Sequence, residues 1–234
     1  GRHWISVSLL PADSSRLRPV AGVPVAVHHC PMQTTQQRTA GNPAAGIDVP
    51  TGWLELARRL ESPNCDDRPS GMRPELIVVH GISLPPGEFG GPWIDALFTN
   101  TLAPDAHPYF AQVASLRVSA HALVRRDGEV VQYVPFHRRA WHAGQSRWMG
   151  RERCNDFSIG IELEGTDARA YESAQYASLA RLVAMLCRTY QTLSAERIVG
   201  HSDVAPGRKS DPGIAFDWPL LRALVRYQVE VAPA

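Results

Sequence analysis

Two uninterrupted apolar runs constrain this fold more than any other feature. ELIVVHGIS, from Glu75, and SIGIELEG, from Ser158, are rich in β-branched residues and follow loops rich in Pro, Gly, Asn and Asp. Runs of this length and composition suit central strands buried by packing on the sheet faces. Between and after them lie helical patterns. In SAQYASLARLVAMLCRTYQ, Leu179, Leu182, Val183, Leu186 and Tyr190 fall at helical spacing, which predicts an amphipathic helix. FDWPLLRALVRY predicts a C-terminal helix starting around Trp218-Pro219. SAHALVRRDGEVVQYV reads as a hairpin, two β-rich runs around the turn-forming dipeptide Asp127-Gly128. Interspersed strands and helices with one hairpin predict an α/β fold: a single domain with a mixed central β-sheet flanked by α-helices.

The remaining segments read less sharply. TGWLELARRL is compatible with a short helix or an extended lead-in, WIDALFTNTL and HPYFAQVASL predict short helices, and ERIVGHSDV predicts a last short strand. FHRRAWHAGQSRWMGRERCND is a long irregular connection, the kind of segment that often carries function. Residues 1–46 are rich in Pro, Gly, Ser, Thr and Gln and show no sustained period. They read as a disordered or loosely attached extension, and residues 47–234 as the folded domain. His28, His29 and Cys30 in that extension read as a tail without a site.

Composition excludes some functions. With a net charge of +1 over 234 residues, the totals give no electrostatic argument for nucleic acid or an anionic membrane. No apolar run approaches the ~20 residues of a membrane span. ISVSLL is short for a signal peptide and no small-residue cleavage site follows it. Four scattered cysteines without a C-x-x-C pair suggest free thiols in a reducing compartment. The expectation is a cytoplasmic monomer.

His80 ends LIVVH and His201 ends IVGH, each where a strand opens into a loop. Ligands collect beyond strand ends in α/β sheets. Asp211, in SDPG, lies in a turn that could bring a carboxylate back toward His201. Two imidazoles and a carboxylate would make a catalytic zinc set with an open fourth position, although a strand-end histidine is more often a hydrogen-bonded structural residue. Glu162 and Glu164 sit two apart in an apolar strand, where a carboxylate is costly unless paired or functional. A general base and a buried ion pair with an arginine are equally compatible with them. Lys209 is the only lysine among 24 basic residues, and it falls inside the candidate metal loop. An ammonium is a compact point charge where guanidinium is a broad fork.

At this point the motifs resemble a known family. VVHGISLPPGEFGGPWIDALF, LRVSAH, RRDGEVVQYVPF, RAWHAG, GRERCNDFSIGIELEGTD and GHSDVAPGRKSDPGIAFDW resemble the zinc amidase superfamily of T7-type lysozyme and the peptidoglycan recognition proteins, in its branch that recycles muropeptides. The resemblance runs from about Thr51 to about Val225. It implies zinc ligation by His80, His201 and Asp211, with Glu162 and Lys209 as catalytic residues. It implies an amidase acting on the bond between (1,6-anhydro-)N-acetylmuramic acid and L-alanine. Trp141 and the loop around Arg153, Cys154 and Asn155 match the region lining the family's substrate groove. Arg117 and Arg153 are candidates for binding stem-peptide carboxylates, and His142 for a partner standing behind a metal ligand. His107, His121 and His137 take structural readings. One departure is His80-Gly81-Ile82-Ser83, where the family's motif is H-N-I-S. An asparagine there would contact substrate, so its loss predicts altered affinity. Two rival functions share the resemblance: a peptidoglycan-binding recognition module, and a periplasmic amidase acting on intact peptidoglycan.

Overall fold

The computed structural model describes residues 46–231. The expected extension therefore lies, except for Gly46, outside the described residues. A six-stranded sheet forms the centre. In chain order its strands are β1 (Arg58–Arg59), β2 (Leu76–Ile82), β3 (Ala122–Val124), β4 (Val130–Gln132), β5 (Ser158–Glu164) and β6 (Ile198–Gly200). The spatial order is β6-β2-β5-β3-β4-β1. Strand β5 runs parallel to both β2 and β3, and β6 runs parallel to β2. Only the β3–β4 hairpin is antiparallel, so the sheet is mixed, as the sequence predicts. The two long apolar runs are its central neighbours, with Ser158 to Glu164 registered against Leu76 to Ile82.

The helices are α1 (Trp93–Phe98), α2 (Phe110–Val113), α3 (Ser173–Thr189), α4 (His201–Val204) and α5 (Trp218–Val231). Helices α3 and α5 cover one sheet face. There Leu179, Leu182, Val183 and Leu186 pack with Ile77, Val79, Ile159, Ile161 and Leu163. This follows from strand alternation, which sends every second side chain to the same face. The α1 and α2 segment packs on the opposite face through Ile94, Phe98, Phe110 and Val113, against Leu123, Val131 and Tyr133.

Two expectations resolve in detail. TGWLELARRL is extended, with Trp53–Leu54 a short strand and Arg58–Arg59 the sheet edge. The hairpin turn is longer than a two-residue loop. Gly128 N–H donates to Arg125 O and Arg125 N–H to Glu129 O, with Gly128 at φ 88°. This is a type I turn closed by a left-handed glycine, and the reach of Asp127-Gly128 sits inside it. Cys65, Cys154 and Cys187 are unbridged.

Candidate functional site

The alternation that buries Ile159, Ile161 and Leu163 puts Ser158, Gly160, Glu162 and Glu164 on the other face of β5. Leu76, Val78 and His80 of β2 share that face, and Glu162 registers directly opposite His80. Strand β6 stops at Gly200, and His201 begins the short helix α4. The second histidine therefore enters the site from a helical turn. Ser202 N–H donates to Asp211 O, which folds the loop 205–211 back on that turn.

Three ligand atoms converge at this point. His80 Nδ1 and His201 Nδ1 are 2.9 Å apart. Asp211 Oδ2 is 3.3 Å from the first and 3.1 Å from the second. His201 Nε2 lies 3.2 Å from Ala143 O. A carbonyl only accepts, so that nitrogen carries the ring proton and the His201 Nδ1 lone pair faces His80. Lone pairs and a carboxylate oxygen aimed at one point fit a divalent cation and little else. His80, His201 and Asp211 could thus hold a metal, and two imidazole nitrogens with one carboxylate are a ligand set of catalytic zinc.

Burial shapes the charges. Desolvation, followed by the neighbouring His201, lowers the His80 pKa to about 4, so the ring is neutral near pH 7. Burial opposes ionisation of Asp211, but the two imidazoles packed against it hold its pKa far below the usual carboxylate range. Burial, with the Asp211 charge adding to it, pushes the Glu162 pKa well up, against the pull of Lys209. Glu162 Oε2 is buried and has no hydrogen-bond partner. An orphaned carboxylate oxygen in a native interior is costly, and a cation with its bound water beside Glu162 would satisfy it. That is a second, independent sign that the residues fit the metal.

The two glutamates, alike in sequence, divide the two readings between them. Glu162 opens into the cleft. Glu164 accepts from Gly90 N–H at 2.6 Å and lies 3.4 Å from Arg125 Nη1, inside an ion-pair cluster with Asp95.

The cleft over the metal point has a volume of about 430 Å³. Glu162, Lys209, Trp141, Asn155 and Arg117 all line it together with the three convergent residues. Trp141 also donates its indole N–H to Asp66 Oδ1 at 3.1 Å, and Asn155 Oδ1 accepts from Ala143 N–H at 2.8 Å, so both are held rigidly. Arg153 is not brought into the cleft. It lies in a neighbouring hollow with Arg147 and Glu152, and pairs with Asp156 at 3.1 Å. The arginine that does line the cleft beside Lys209 is Arg208, which donates to Ala143 O and Gln145 O. Sequence reasoning passed over Arg208 and over Tyr109, Leu97, Phe98 and Val113, which form an apolar wall. Nothing in their spacing marks them, because α1 and α2 reach the site only through the packing of the sheet's outer face.

Gly81 lines the same cleft. Its alternation points a Cβ away from the ligand face, straight at the buried Tyr171 hydroxyl. That hydroxyl donates to Pro212 O at 2.9 Å, next to Asp211. The Tyr171 hydroxyl thus occupies the space that a side chain at position 81 would first enter, and it braces the loop that carries Asp211.

Residues 70–214 match the family model described as N-acetylmuramoyl-L-alanine amidase. The chain is 66% identical over 174 residues to a 1,6-anhydro-N-acetylmuramyl-L-alanine amidase AmpD of Salmonella typhimurium, covering 74% of this chain and 92% of that protein. A crystal structure of an AmpD derivative superposes with a TM-score of 0.73 at 64% identity, covering 75% of this chain and 97% of that one. The crystal structure of AmpDh3 from Pseudomonas aeruginosa in complex with anhydromuramic pentapeptide gives 0.50 at 28% identity, covering 67% of this chain and 61% of the other.

Proposed function

The chain belongs to the N-acetylmuramoyl-L-alanine amidase family, and on that footing we propose that it is the muropeptide-recycling amidase of its cell. It hydrolyses the amide between 1,6-anhydro-N-acetylmuramic acid and L-alanine. The observation that carries the reading is the convergence of His80, His201 and Asp211 within a cleft that also holds Glu162 and Lys209.

His80 Nδ1, His201 Nδ1 and Asp211 Oδ2 would hold zinc, which when bound would polarise the scissile carbonyl and acidify the attacking water. Glu162 accepts a proton from the attacking water at its unpartnered Oε2 and passes it to the departing alanine nitrogen. Its buried setting makes it a better base than a surface carboxylate. Lys209 places a compact positive charge beside the carbonyl oxygen as that oxygen becomes negative. Trp141 and the apolar wall of Leu97, Phe98 and Val113 shelter the sugar and exclude bulk water, while Asn155 fixes the backbone next to the site. Arg117, exposed at the rim, offers its fork to a stem-peptide carboxylate; Arg153 serves its loop. The complete ligand set with Glu162 favours an enzyme over a recognition module. No helix among the described residues is long and apolar enough to cross a membrane. The proposed setting is a cytoplasmic monomer acting on recycled fragments.

The test is mass spectrometry of anhydro-muramyl-tripeptide incubated with the protein, beside intact peptidoglycan. Tripeptide release that stops with chelator and returns with zinc is the expected result, with intact peptidoglycan spared. Zinc binding without release from either substrate would overturn the enzymatic reading, and digestion of intact peptidoglycan would overturn the recycling role.

A further inference from the structure

His80 Nε2, on the side of the ring away from the metal point, lies 2.9 Å from His142 Nδ1. The two rings meet edge to face, with centroids 5.0 Å apart. His142 Nε2 in turn lies 3.1 Å from Ser158 Oγ, and Ser158 Oγ donates to Cys154 O at 2.6 Å. This row of atoms has only one consistent direction. Cys154 O is a carbonyl and accepts, so it takes the single hydroxyl proton of Ser158. Ser158 Oγ must then accept, which places the His142 ring proton on Nε2. A neutral imidazole with that proton offers a lone pair at Nδ1. His80 therefore donates from Nε2, and its Nδ1 is left bare toward His201 and Asp211.

We propose that His142 and Ser158 are positioning residues that fix the tautomer of His80, so that the nitrogen facing the metal is free of its proton before metal arrives. The inference rests on the reading of His80 as a metal ligand. It goes beyond that reading because it assigns the polarity of the whole row and the part played by β5. Ser158, Gly160 and Glu162 stand on one face of that strand, alternating with Ile159 and Ile161. Gly160 is the residue over which the His142 ring lies, and a Cβ there would collide with three ring atoms. The backbone φ at Gly160 is ordinary, so glycine is required there for room and not for a turn. A single strand thus supplies the hydroxyl that orients the row, the space for its middle ring and the glutamate beside the ligand cluster. His142 is also held from behind, since Asn155 Oδ1 takes its backbone N–H at 3.2 Å.

Groups that orient a metal-binding histidine typically change metal affinity about 10- to 100-fold when removed. The experiment measures zinc affinity by competition with a chromophoric chelator on the full chain, for the unaltered protein and for S158A, G160A and H201A. Side-chain nitrogen NMR of the zinc-free protein, labelled with ¹⁵N-histidine, reads the tautomers directly. The expected result is His80 protonated at Nε2 and His142 at Nε2. Zinc binding should be about 10- to 100-fold weaker in S158A and in G160A. S158A should keep the zinc-free thermal midpoint within a few degrees, which separates it from a packing defect. A His80 protonated at Nδ1 in the unaltered protein, or unchanged zinc affinity in folded S158A, would overturn the proposal. If H201A binds zinc as tightly as the unaltered protein, the metal reading itself fails, and that outcome is distinguishable because it does not depend on Ser158.

Discussion

Lys209 stands half-buried in the cleft, on the loop that returns Asp211 to His201. Replacing it with arginine keeps the charge but spreads it over a planar fork too wide to sit at one oxygen. We expect K209R to bind zinc normally, measured by elemental analysis, and to lose about 100- to 1,000-fold in kcat, the usual loss of one oxyanion donor. Near-normal kcat would remove Lys209 from the chemistry. Gly81 and Tyr171 make a coupled pair. A methyl at position 81 meets the tyrosine hydroxyl, whereas the next nearest atoms, Pro212 Cα and Tyr171 Cζ, are at ordinary contact distances of 3.5 and 3.7 Å. G81A should therefore destabilise by about 1–3 kcal/mol, as overpacked sites do. In a Y171F background the same change should cost much less, because the colliding atom is gone. Urea denaturation of the four proteins of this double-mutant cycle measures the coupling, and additive effects would contradict the geometry.

At the scale of elements, the β3–β4 hairpin is more than a connection. Gly128, in its turn, would set a Cβ 2.9 Å from Ala174 O of α3, and Ser178 Oγ of the same helix donates to Gly128 O at 2.8 Å. With φ at 88°, alanine there meets both a backbone penalty and a backbone obstacle. G128A should lose about 2 kcal/mol or more of stability while zinc affinity, set on the far side of the sheet, stays unchanged. A variant that folds as stably as the parent would show that the hairpin is free of α3. Asp127-Gly128 marks the turn in sequence because the local backbone geometry demands it. Its docking on α3 leaves no trace there, since the contact joins residues about fifty positions apart.

Across the whole molecule, stability should depend on acid through rings held neutral by the fold. His121 is fully buried, and burial and then the nearby Arg68 lower its pKa to about 3. Its Nδ1 accepts from Gly160 N–H at 3.0 Å, and its Nε2 faces Arg138 O at 3.0 Å. The unfolded chain protonates this histidine near pH 6.5. Below that pH the unfolded state binds more protons than the folded one, so stability falls as pH drops, by up to about 1.4 kcal/mol per pH unit for this ring. The loss levels off near pH 3, where the folded ring also takes its proton. Urea midpoints of zinc-free protein between pH 7 and pH 4 should fall with at least that slope, because His80 is also held neutral, and H121Q should reduce it by this ring's share. An identical slope in H121Q would assign the acid sensitivity elsewhere. Arg68 itself, half-buried and donating to Phe136 O, His137 O, Asn155 O, Asp156 O and Ser158 O, ties the lead-in segment to the site loop without any carboxylate partner among those contacts.

What the sequence determined by itself is what local rules control. The β-branched runs made β2 and β5 central, the helical spacing of Leu179 to Leu186 built α3, and His80, His201, Asp211, Glu162 and Lys209 stood out as candidates because such residues are costly or rare where they stand, while their roles came only from likeness of motif. Trp141 and Asn155 were legible through likeness of motif and Arg117 through the affinity of its fork for carboxylates, and all three line the cleft. Tertiary structure decided the rest. It separated Glu162 from Glu164 by giving only the second an arginine and backbone donors. It moved Arg153 out of the cleft and brought Arg208 in. It turned Gly81 toward Tyr171 and laid the His142 ring over Gly160. The physical reason is common to these cases. A strand's composition fixes that it is buried and which residues share a face, but which partner fills the space above each residue depends on segments far away in the chain, joined only when the sheet closes.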